Sequence, residues 1–191
     1  MLTESAARWL LVLHTILGGA AVGAATHLVI WLRRYARSQK TARAGLRFAW
    51  VTLALQLAAF GAGNAMYPTY KVEVRAAYLE NARELMAASE SASAASARIM
   101  TREGGEPRQA SATIDLVRRG AQAARWFDVK EHWIALGILV SAALVLLLSY
   151  WPSGREAAAV LPVVTGLAAI GAGTLWLAAI IGILTTAWRA V

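Results

Sequence analysis

The chain has no cysteine among its 191 residues. That excludes a disulfide, a thiolate zinc or iron–sulfur site and covalent attachment of c-type haem, and it leaves the redox compartment unmarked. Charge is also scarce. Asp, Glu, Lys and Arg make up 16% of the residues, against about 25% in an average soluble domain. Four stretches, 9–32, 48–70, 133–154 and 157–188, carry no charged residue at all. A hydrocarbon core about 30 Å thick takes roughly 20 helical residues to cross, so each stretch is long enough to cross once. Pro162 fits best in a first helical turn, where its missing N–H costs least, which narrows the last crossing to 162–188. With no carboxylate in any span, a pump or transporter that moves protons on an intramembrane Asp or Glu is disfavoured.

What charge there is has a pattern. Most of the formal net charge of +8 comes from Arg33, Arg34, Arg37, Lys40, Arg43 and Arg47, which occupy one short connection without an acid. An excess of Lys and Arg in a short loop marks the cytoplasmic side. The reading that follows places both termini and the 71–131 connection outside. Trp9, Trp133 and Trp188 then mark the outer interface, and Trp31, Trp50 and Trp151 the inner one. No basic stripe with interleaved aromatics accompanies the loop, so nucleic acid is not an expected partner. The first apolar run continues through Leu32, too far for a cleaved signal peptide.

The long connection is not a linker. Val72, Ala76, Leu79, Ala82, Leu85 and Met86 recur at three- and four-residue steps and predict a helix from Val72 to about Met100. Gly104, Gly105 and Pro107 break it, and a second helix is expected from Ser111 or Thr113, running on into the third span. The result is an outer helical hairpin that packs on itself, docks another subunit or lies on the membrane surface. Small residues four apart, Gly19 with Gly23, Ala58 with Ala62, Gly137 with Ser141, Ala169 with Gly173 and Ala178 with Gly182, suit close helix approach in lipid.

Polar side chains within the spans are costly and are therefore the functional leads. They are His14, His27, Gln56, Asn64 and several Ser and Thr, with His132 at the entrance of the third span. His14 lies six residues after Arg8 and Asn64 seven before Lys71, at similar depth, so a hydrogen bond between them is one reading. The sharper reading is a b-type haem, which takes two imidazoles from different helices. His14 and His132 both fall on the outer side, although counting from Trp9 and Trp133 puts His132 about 9 Å higher at 1.5 Å per residue. His27 stands about 140° around the helix from His14, so as a haem ligand it would need a partner across an interface or a non-histidine ligand. Asp128, one turn before His132, is a candidate to orient that ring, with Glu131 beside it. Tyr67-Pro68-Thr69-Tyr70-Lys71 at the outer end of the second span would meet this segment as a structural collar or a site for a quinone-like headgroup. The plainer alternative is a set of hydrogen-bonded histidines and an interfacial ion-pair cluster.

The sequence thus predicts an all-α integral membrane protein: one four-transmembrane-helix bundle with an extramembrane helical hairpin, in the cytoplasmic membrane. It offers no catalytic constellation. The expected role is a non-catalytic membrane subunit of a respiratory-type electron-transfer assembly that binds one b-type haem. Lipid and other membrane or periplasmic subunits are its partners. The alternative is a cofactor-free scaffold whose hairpin docks a periplasmic protein. A small-solute channel or transporter comes third, weakened by the lack of a broken central helix.

Overall fold

The computed structural model describes residues 3–38, 42–103, 113–151 and 155–187, which are helical apart from short turns and ends, with no strand among them. The elements are α1 (Glu4–Ser38), α2 (Ala42–Thr69), a π-helical segment (Tyr70–Leu79) that continues α2 directly, α3 (Ala82–Glu103), α4 (Thr113–Ser149) and α5 (Arg155–Ala187). Four helical stretches, Ser5–Tyr35, Ala44–Leu79, Asp115–Ser149 and Glu156–Thr185, are long and apolar enough to cross a membrane. The predicted break at Gly104, Gly105 and Pro107 lies outside the described residues, as do Lys40 and Trp188.

The long helices pack through small and branched residues. α1 lies against α2 and α5, and α4 also lies against α2 and α5. Leu28 and Leu32 of α1, Ala49 and Leu53 of α2, Leu144, Val145 and Leu148 of α4, and Leu161, Val164 and Ala168 of α5 form one buried cluster. A second joins Ala21, Val22 and Ala25 to Ala172 and Leu175. Outward faces carry Leu13, Ile16, Leu139, Leu146, Ile183 and Leu184, all exposed. So many exposed large apolar side chains on helices of this length match a lipid-facing surface and would be a liability in water.

The close approaches only partly follow the predicted small-residue pairs. A Cβ on Gly137 would sit 2.6 Å from Thr174 Oγ1, and one on Gly171 3.3 Å from Val140. Gly19, Gly23 and Gly173 instead face open space. On α1 the buried small pair is Ala21 with Ala25, which turns the helix so that Gly19 and Gly23 point away from its neighbours.

Two further differences concern proline and turn chemistry. α5 begins at Arg155, so Pro162 stands inside the helix and not in its first turn. The predicted helix over 72–100 is interrupted at Glu80 and Asn81. There the Asn81 carboxamide oxygen accepts the N–H groups of Arg83 at 3.1 Å and Glu84 at 3.5 Å, an asparagine N-cap that restarts the chain as α3. Leu79 packs with Ala123 and Ala124 of α4, and Gly120 lets this contact close, because a Cβ there would collide with the Leu79 carbonyl oxygen. α4 runs unbroken from Thr113 to Ser149.

Candidate site at the α3 end of the long helices

His14 Nδ1 donates to the Ala59 carbonyl oxygen of α2 at 2.8 Å. The neighbouring turn of α2 makes room for the ring: a Cβ on Gly63 would lie 3.2 Å from His14 Cε1. A carbonyl only accepts, so Nδ1 holds the proton and the Nε2 lone pair is left for another partner. The His14–Asn64 hydrogen bond read from depth is replaced by this ring-to-backbone bond, and Asn64 is exposed.

Lys130 of α4 reaches inward from the opposite side. Its Nζ lies 5.5 Å from the Phe127 ring centroid and 3.4 Å from the point a Cβ on Gly182 of α5 would occupy. The reach is toward α5; α1 and α4 are not packed on one another. The long apolar stem of lysine makes this reach possible. The face of Phe127 stabilises the ammonium by about 0.5–2 kcal/mol. Lys130 was absent from the candidate residues read from the sequence; its position three residues before Trp133, at the mouth of a charge-free run, was the available signal.

Phe127 also receives Tyr70, stacked at 3.9 Å between centroids and 19° between planes. Tyr67 lies 6.3 Å from Tyr70. Arg75 donates from Nε to Glu80 Oε1 and from Nη1 to Asp128 Oδ1, both at 2.8 Å. The second span's aromatic end therefore does meet the segment around Asp128. The π winding explains how. Tyr70 and Arg75 are five residues apart, and at about 100° per residue an α-helix would turn them some 140° away from each other. Bonds from i to i+5 bring them nearly onto one face, where both reach α4. Pro68, which cannot donate the N–H that would bond the carbonyl four residues back, stands two residues before this winding begins.

The remaining candidates are placed differently. The His132 ring is exposed, and its Nδ1 donates to the Asp128 carbonyl oxygen one turn back at 2.8 Å. Asp128 thus holds His132 through its backbone and sends its carboxylate to Arg75. Glu131 is half-buried. His27 is exposed, 5.0 Å from the Phe48 ring and tilted by 39°. Among the described residues no three of His, Asp or Glu gather as a metal site.

Comparison with models of known protein families, with curated proteins and with solved structures finds no match.

Proposed function

We propose that the chain is a four-span inner-membrane bundle with an outer hairpin and both termini outside. In this reading it serves as a non-catalytic membrane subunit of a respiratory-type electron-transfer assembly, and His14 and His132 hold one b-type haem. The observation that carries the proposal is the state of the two imidazoles. Each spends Nδ1–H on a backbone carbonyl, the arrangement that fixes the tautomer of a metal-ligating histidine and leaves Nε2 as donor to iron. Lys130 on α4 is a cation that would suit the carboxylates a haem carries. A bound haem supplies one-electron transfer; the protein's part is to orient the rings and exclude water.

The test is a dithionite-reduced-minus-oxidised spectrum of protein expressed with haem supplied and purified in detergent. The expected result is b-type absorbance, and its absence overturns the haem assignment. Orientation is checked with a cysteine at Ser38→Cys in this cysteine-free chain. An impermeant thiol reagent added from outside should leave it unlabelled, and labelling reverses the topology.

A second reading, a cofactor-free scaffold whose hairpin docks a periplasmic protein, is favoured by one observation. The Arg75–Asp128 pair ties the two arms of the 71–131 segment to one another, yet Val72, Val117 and Trp126 remain exposed on it. Under this reading the spectrum is blank and a Trp126→Ala variant loses a copurifying partner.

A further inference from the structure

The middle of α2 holds a group that neither the haem reading nor the hairpin uses. Gln56 is 2% exposed, and among the described residues neither its Oε1 nor its Nε2 meets a hydrogen-bond partner. An unpaired carboxamide at membrane depth is expensive, because no bulk water reaches it to make up the missing bonds. Among the described residues the other buried polar side chains are Thr52, Ser141 and Thr174. The Thr52 hydroxyl donates to the Phe48 carbonyl and the Thr174 hydroxyl to the Gly171 carbonyl, and each oxygen keeps acceptor capacity.

Register brings two of these to one level. α2 and α4 pack antiparallel, Tyr70 meeting Phe127 at one end and Leu53 sharing a core with Leu144, Val145 and Leu148 toward the other. Counting 14 residues inward from that stack along each helix reaches Gln56 on one and Ser141 on the other. Thr174 of α5 lies against Gly137, one turn from Ser141 on α4. Uncharged polar side chains from three helices are thus collected midway along the helices.

The chemistry selects the occupant. It must donate to Oε1 and accept from Nε2, be uncharged where the spans carry no counter-ion, and be small enough for a packed helical interior. A quinone carbonyl only accepts, and a metal cation finds no carboxylate here. We infer that Gln56 binds an internal water molecule that bridges its carboxamide to the Ser141 hydroxyl. A water with two to four polar partners is the usual way such groups are satisfied. The inference rests on the burial of α2 among its neighbours and stands whether or not a haem is bound.

The experiment is water-edited solid-state NMR on the full chain in lipid bilayers with glutamine labelled at the side-chain nitrogen, the Gln56 signal being assigned by its loss in Gln56→Met. The Gln56 amide is expected to take up water magnetisation several-fold faster than the backbone amides of Leu53 and Ala59, and Ser141→Ala should slow it. Uptake no faster than at those backbone amides overturns the proposal. Thermal unfolding in detergent gives an independent reading. If water satisfies the carboxamide, Gln56→Met lowers the midpoint. If the carboxamide is bare, the substitution removes an unsatisfied group and raises the midpoint, which also overturns the proposal.

Discussion

The two ends of the long helices solve the same packing problem with different chemistry. Away from α3, ten buried apolar side chains from four helices close a dry core. It is finished by Trp31 stacked on Tyr35 at 5.5 Å, with Trp151 edge-on to Tyr35 at 5.9 Å and donating to its hydroxyl at 3.3 Å. At the α3 end the contacts are a ring-to-carbonyl hydrogen bond, an ammonium over an aromatic face and one guanidinium shared by two carboxylates. The first arrangement gains from close van der Waals packing, since lipid is as apolar as leucine and gives no hydrophobic drive, and tolerates changes that conserve volume. The second gains from direction, and each of its members has few substitutes. An apolar end makes a stable frame, whereas a directional end holds groups capable of chemistry.

This contrast can be broken by mutation, and the largest effects belong to the dry end. Leu28→Ala should cost about 2–5 kcal/mol, the usual range for truncating a fully buried leucine, read from unfolding in mild detergent. A cost below 1 kcal/mol would mean that the core is not tightly packed there. At the other end, Gly120→Val should cost about 1–3 kcal/mol through overpacking, because the obstacle is the Leu79 backbone oxygen and a Leu85 methyl. Limited proteolysis should then cut α3 faster while leaving the long helices intact. Arg75→Ala comes next. It breaks two partly exposed ion pairs worth about 0.2–1 kcal/mol each, so the contact between the π-helical segment and α4 loosens slightly, and added salt shrinks the difference between wild type and variant. The smallest effect is Tyr35→Phe, which removes one long hydrogen bond from Trp151 and should cost no more than about 0.5–1.5 kcal/mol, with both ring contacts kept.

Legibility follows the same division. Helices able to cross a membrane were readable because absence of charge over 20 or more residues is a one-dimensional signal, and the continuity of α4 followed from good helix formers between Thr113 and Trp133. The α3 end was hidden because its decisive features lie in tertiary geometry. The π winding is set by what Tyr70 and Arg75 reach on α4, and no periodicity in 70–79 announces it. His14 finds a backbone carbonyl, a partner no side-chain pattern reveals, although Gly63, four residues beyond Ala59, marks the gap the ring needs. The break at Asn81 did have a local signal: asparagine followed three residues later by Glu84, a helix-start pattern overridden by the apolar steps on either side. Gly19 and Gly23 misled for the opposite reason, since in a chain rich in small residues the buried face is chosen by packing and Ala21 with Ala25 occupies it.

The central claim is that the directional end positions His14 to act as a ligand and is not merely a second structural collar. The most direct measurement is the reduced-minus-oxidised spectrum compared across wild type, His14→Ala and His27→Ala, each purified with haem supplied and each first shown to be folded by its unfolding midpoint. The account predicts b-type absorbance in wild type and His27→Ala and its loss or shift in His14→Ala. A blank wild-type spectrum, or a wild-type spectrum that His14→Ala leaves unchanged, would contradict it.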